Sequence, residues 1–185
     1  PSGYLALCTK NLPEPSVDPR NHFNTILYTG DDSTDNDITG IGFETDFLWI
    51  KRRDATAQHY LFDSLRLYDN GHNKQIFASL PGAEGADDSG SSNSRVRLGV
   101  ITDGFNLTNA DTDLNASAGS YVAWNWKAGN ANTAFSESGN NPGGIHRANV
   151  AAGFSIVSYT GTGAAGTVAH GLGAAPQLIY IKNRD

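Results

Sequence analysis

The 185-residue sequence contains no methionine and a single cysteine, Cys8. One thiol cannot close an internal disulfide, and its place in the apolar run YLALC marks it as core packing rather than as a nucleophile. Positive charge is scarce: 13 Lys and Arg stand against 19 Asp and Glu, a formal net charge of -6. A nucleic-acid surface needs clustered Lys and Arg, so no nucleic-acid partner is expected. No apolar run approaches the roughly 20 residues of a membrane-spanning helix or resembles a signal peptide, so no membrane insertion is expected either. Helical periodicity is missing as well, which leaves room only for one-turn helices near 66–80.

What the chain has instead is glycine, 21 residues of it, with many Asn, Ser, Thr and Asp. Short runs rich in β-branched and aromatic residues, bounded by such clusters, are strand signals. They predict an all-β chain with strands near 4–9, 24–29, 46–52, 58–66, 74–79, 95–101, 104–108, 119–127, 154–160 and 176–183. DFLWIK at 46–51 is apolar on both alternating faces, as a strand covered on both sides should be. In YVAWNWKAG, Val122, Trp124 and Trp126 share one face, and Tyr121, Ala123, Asn125 and Lys127 share the other. That strand has an inside and an outside, and burying its two indoles would contribute a few kcal/mol each, with the N–H groups needing partners.

FNTILYTG at 23–30 returns as FSIVSYTG at 154–161. A shift of 131 positions (154 minus 23) lays residues 23–54 over 154–185 without a gap. Phe23 then meets Phe154, Tyr28-Thr29-Gly30 meets Tyr159-Thr160-Gly161, and Gly40 and Gly42 meet Gly171 and Gly173. Ile50-Lys51 meets Ile181-Lys182, and Arg53-Asp54 meets Arg184-Asp185. This is a repeat, and its second copy reaches Asp185 about a third of the way through, so the sequence is expected to end inside a module. The chain divides accordingly. Residues 1–22 are expected to be a strand plus a Pro-rich linker, 23–129 a first full β module, 130–153 a Gly/Asn-rich join with room for one short strand, and 154–185 the opening strands of a second copy. The antiparallel module is expected to be a β-sandwich or jelly roll.

Candidate chemistry is thin. DDSTDND at 31–37 places Asp31, Ser33, Asp35 and Asp37 at alternate positions much as a calcium loop does, with Asp31, Asp35 and Asp37 as the metal candidates. Asn36 stands where the sharp-turn glycine belongs, however, and Gly42 where the bidentate Glu should be. The second copy has TGAAGTV there, so a solvated hairpin turn is the plainer reading, and no metal or other cofactor is expected. His59, Asp63 and Ser64 do not form a hydrolase triad, because on one strand Ser64 points away from the other two and no G-x-S-x-G elbow is present. His170, beside Gly171-Leu172-Gly173, reads as a turn residue. Sequons at Asn106 and Asn115 matter only in a secretory pathway. Exposed aromatics remain as a platform for sugars, and Trp49, Tyr60, Tyr68 and Tyr121 are the ligand-contact candidates.

The phrases FNTILYTG, ITGIGFETDFLWIKRRD, LFDSLR, TDGFNL, YVAWNWKAG and AGFSIVSYTGTGAAGTVAHGLGAAPQLIYIKNRD resemble the repeat module of structural proteins in marine tailed phages. PSGYLALCTKNLPEP resembles the closing strand of the SPRY or lectin-like domain that often precedes that module. The resemblance implies a non-enzymatic virion protein of a tail fibre, spike or related appendage. Its implied partners are other virion proteins, copies of itself in a homotrimer, and a glycan of the host surface. A carbohydrate-binding adhesin module is the alternative, and a polysaccharide depolymerase, which needs two carboxylates facing a cleft, stands behind it.

Overall fold

The computed structural model describes residues 17–67, 71–85, 96–108 and 112–185. Cys8, the strand expected at 4–9, most of the Pro-rich linker and Tyr68 lie outside the described residues. After a 3-10 turn at Pro19–Asn21, the strands are β1 (Phe23–Thr29), β2 (Asp35–Thr39), β3 (Phe47–Arg52), β4 (Tyr60–Asp63), β5 (Ile76–Phe77), β6 (Val96–Arg97) and β7 (Gly104–Thr108). A single helical turn, α1 (Thr112–Asn115), precedes β8 (Ser120–Trp126), β9 (Thr133–Phe135), β10 (Gly144–Asn149) and β11 (Phe154–Tyr159). The chain is all-β, and every named strand pair is antiparallel.

Two sheets form a sandwich. One has the order β1-β8-β3-β4-β5 and the other β2-β7-β6. Their inner faces share one core: Leu48 and Ile50 from β3, Phe62 from β4 and Tyr121 and Ala123 from β8 meet Ile38, Val96, Phe105 and Leu107 of the smaller sheet. Leu114 of α1 plugs one end. Alternation places these residues, since every second side chain of β3 and β8 points inward. Within the smaller sheet β2 and β7 approach closely. A Cβ on Gly104, whose φ is +142°, would stand 1.9 Å from Ile38 O, so only glycine admits that approach.

Several expectations are corrected. The buried face of β8 is Tyr121-Ala123-Asn125, while Trp124 and Trp126 are half-buried on the outer face. Asn125 tolerates full burial because its amide oxygen accepts from Thr45 Oγ1 (3.0 Å) and its amide nitrogen donates to Ala123 O (3.1 Å). The Asp-rich stretch is a turn only as far as Thr34. From Asp35 it is strand β2, paired to β7, where Asn106 Nδ2 donates to both Asp35 (2.6 Å) and Asp37 (2.8 Å). The join holds two strands rather than one: β9 and β10 form a third sheet with β11, in the order β11-β10-β9. The one-turn helix falls at 112–115, not within 66–80 among the described residues.

At the border of the large sheet, β1 is an edge strand. On its outer edge the Thr25 N–H is satisfied by Asn24 Oδ1 (2.9 Å), while Asn24 Nδ2 donates to Ile41 O (2.8 Å). Residues 176–183, expected as a strand, run without strand pairing, and Leu178, Ile179, Tyr180 and Ile181 are 56–87% exposed.

Candidate functional site

Among the described residues no three His, Cys, Asp or Glu side chains converge to hold a metal ion. Of the three candidates, Asp31 is taken up by the chain itself. It accepts from Ser33 N (2.9 Å), Ser33 Oγ (2.8 Å), Asn36 Nδ2 (3.1 Å) and Asn115 Nδ2 (2.9 Å). These donors, the Ser33 backbone N–H first, hold its carboxyl below the usual range. Asp35 and Asp37 share Asn106, so the three carboxylates clasp the turn to α1 and β7. Asn106 and Asn115, the sequon asparagines, are buried in this clasp.

His59, Asp63 and Ser64 do not meet as a triad. Asp63 is nearly buried and paired with Arg66 Nε at 2.6 Å, and its second oxygen accepts the N–H groups of Leu65 and Arg66. His59 Nδ1 accepts from Trp49 Nε1 at 3.0 Å. Burial, then the charge of Lys51, pushes the His59 imidazole below its ordinary pKa. His170 is a turn residue: its Nδ1 accepts from Leu172 N, and its carbonyl accepts from Ser155 Oγ.

Of the aromatic candidates, Tyr60 and Tyr121 are core residues, 4% and 0% exposed. The Tyr121 hydroxyl accepts from Ala116 N and donates to Thr112 O, fixing α1 against β8. Tyr28 stacks on it, with ring centroids 4.9 Å apart. Trp49 does lie on a surface. It is half-buried on the outer face of the large sheet, 5.6 Å from Trp124 in an edge-to-face pair, with His59 on its flank.

That outer face is an aromatic strip, and it includes the two β8 indoles expected to be buried. Phe23 and Trp126 (4.9 Å), Phe47 and Trp126 (5.3 Å), and Trp49 and Trp124 run across β1, β8 and β3. At one end Phe154, the first residue of the second copy, covers the strip. Its ring stacks on Trp126 at 5.9 Å and touches Phe47 at the same distance. Beside this seam Asp46, fully buried, binds Arg147 of β10 in a short ion pair, faces Lys127 Nζ at 3.5 Å and accepts Ala128 N at 2.9 Å. Buried carboxylates require such partners, and Asp46 has two cations and a backbone N–H.

A second junction joins the copies at Glu84. Its carboxylate pairs with Arg184 (2.7 Å), Lys74 (3.2 Å) and Arg66 (3.3 Å), and the Glu84 N–H donates to Arg184 O. Burial alone would raise this carboxyl. The hydrogen bonds and charges of Arg184, Lys74 and Arg66 overcome it and bring the pKa down to about 2. The repeat predicts neither junction, because Asp46 is echoed by Gln177 and Glu84 lies outside the repeated span. The only sequence signal is the apolar residue that opens each copy.

Among the described residues no helix is long and apolar enough to cross a membrane. No curated protein and no solved structure matches the chain. A family model described as a domain of unknown function, DUF7483, matches residues 18–185, through the sandwich, the join and the second copy alike. The chain belongs to the DUF7483 family.

Proposed function

We propose that this chain is a repeated structural module of a tailed-phage tail fibre, spike or related appendage, built to stack on copies of itself and on other virion proteins. The observation that carries the architectural part is the seam. The residue that opens the second copy, Phe154, stacks on Trp126 and Phe47 of the first, and Arg147 reaches back to the buried Asp46. Binding energy is thus invested between modules, and repetition rewards length and valency rather than a single reaction centre. The buried acids Asp46 and Asp63 are both committed to cations, which supports a non-enzymatic role over a depolymerase. The phage assignment rests on the resemblance of the repeated phrases.

An antibody raised against the chain should label the tail appendage of purified particles in immunogold electron microscopy. Label confined to the lysate, with none on particles, overturns the reading. The Trp49–Trp124 pair supports a second reading, in which the uncovered part of the strip binds a host glycan. A glycan array that gives signal for the wild type and none for Trp49→Ala would favour it.

A further inference from the structure

Phe154 covers the Trp126–Phe47 end of the aromatic strip, and one step along the strands Trp49 and Trp124 remain half-buried. These two are register partners across β3 and β8, and Thr25, exposed on β1, lies directly opposite Trp124. Leu27, the next outward residue of β1, is 60% exposed.

The same face carries cations. Side chains alternate along β3, so Phe47, Trp49 and Lys51 share its outer side. Pairing runs one step past the strand, because the Arg53 N–H donates to Ser120 O at 2.7 Å, and alternation sets Arg53 on that side too. Arg53 is exposed, and its guanidinium makes no hydrogen bond or ion pair among the described residues. Lys51 spends one N–H on Arg52 O (2.6 Å), which leaves two. It also lies close enough to His59 for its charge to act on the imidazole. Since His59 Nδ1 accepts from Trp49, the ring proton sits on Nε2, which has no partner among the described residues. The adjacent acid does not neutralise this group: Asp54 is held by Arg52 Nε (2.8 Å) and Ser120 N (3.1 Å).

Successive outward residues of a strand stand about 7 Å apart, so Trp49, Lys51 and Arg53 form a line from ring to charge to charge. The free nitrogens along it are all donors. Such a line suits a ligand with C–H faces for the indoles and charged acceptor oxygens for the cations. The chain as a whole carries -6, which repels polyanions at long range, so binding here has to come from contact.

We infer that the outer face of β1, β8 and β3 binds an anionic polysaccharide, a sugar ring stacking on Trp49 and Trp124 while its carboxylate or sulfate groups meet Lys51 and Arg53. The inference rests on the glycan reading above and narrows it to acidic sugars.

The test is thermophoresis of the labelled 185-residue chain against alginate, dextran sulfate, neutral dextran and polyglutamate. Saturable binding is expected to at least one of the two acidic polysaccharides, and the one that binds identifies the acid group as carboxylate or sulfate. Dextran and polyglutamate should bind at least about tenfold more weakly. Arg53→Gln changes an exposed side chain without partners. It should weaken acidic-polysaccharide binding about threefold and flatten its salt dependence, with the thermal midpoint unchanged. Trp49→Ala should weaken it about tenfold. No saturable binding to either acidic polymer, equal binding of polyglutamate, or undiminished binding by Arg53→Gln overturns the proposal. Array signal confined to neutral sugars and lost in Trp49→Ala also overturns it, while leaving the glycan reading intact.

Discussion

Gly30 shows how one missing side chain can hold a fold together. The backbone of Ala116 passes so close that any Cβ must displace main chain rather than a flexible side-chain tip. Gly30→Ala is therefore expected to destabilise the chain by about 3 kcal/mol, read as a lower urea midpoint at unchanged slope. Gly161→Ala, where nothing lies within 4 Å, should shift that midpoint by less than about 0.5 kcal/mol. A second residue-scale expectation concerns His59, which must be unprotonated at Nδ1 to accept from Trp49 Nε1. Its folded pKa lies below the ordinary value, so the stability it contributes is present above about pH 6.5 and is lost as pH falls through the lowered folded pKa. Tryptophan emission should shift across that fall, and Trp49→Phe should remove the shift.

Among the elements, strands with strong apolar and β-branched or aromatic content were legible: β1, β3, β7, β8 and β11 sit within two residues of where the sequence placed them. β2 was not, because DNDIT carries one buried side chain, Ile38, and its polar residues are satisfied by Asn106, a partner about seventy positions away. β9 and β10 were hidden for a similar reason: their residues are at most partly covered, and the Gly/Asn-rich sequence around them reads as connection. The wrong inner face of β8 has its own lesson. Alternation identifies two faces but not which is interior, and the aromatic face proved to be a docking strip. The candidate platform was visible only through Trp49, and its partner Trp124 was credited to the core. Arg147→Met tests the junction of β10 with the first module. It leaves buried Asp46 with Lys127 as its one cation and the Ala128 N–H, and the expected loss is about 2–3 kcal/mol in urea titration. Asp46→Asn in the same background should recover part of it.

For the whole molecule, the Glu84 junction makes the union of the two copies acid-sensitive. The carboxyl has an ordinary pKa of 4.5 and a folded one of about 2, so its contribution is complete above about pH 4.5 and is lost as pH falls toward 2. The shift corresponds to about 3 kcal/mol, which solvent screening at this partly exposed site reduces to the order of 2 kcal/mol. Urea midpoints should fall between pH 5 and pH 3, and Glu84→Gln should flatten that fall while lowering stability at neutral pH. At the other extremity, Asn24 covers the exposed N–H of Thr25 with its own amide, while its echo in β11 is Ser155, whose hydroxyl is turned to His170. The two strands border different sheets, so the same opening phrase is finished off in two ways. A covered N–H offers another chain nothing to pair with at that position, so β1 is guarded there against lateral clumping.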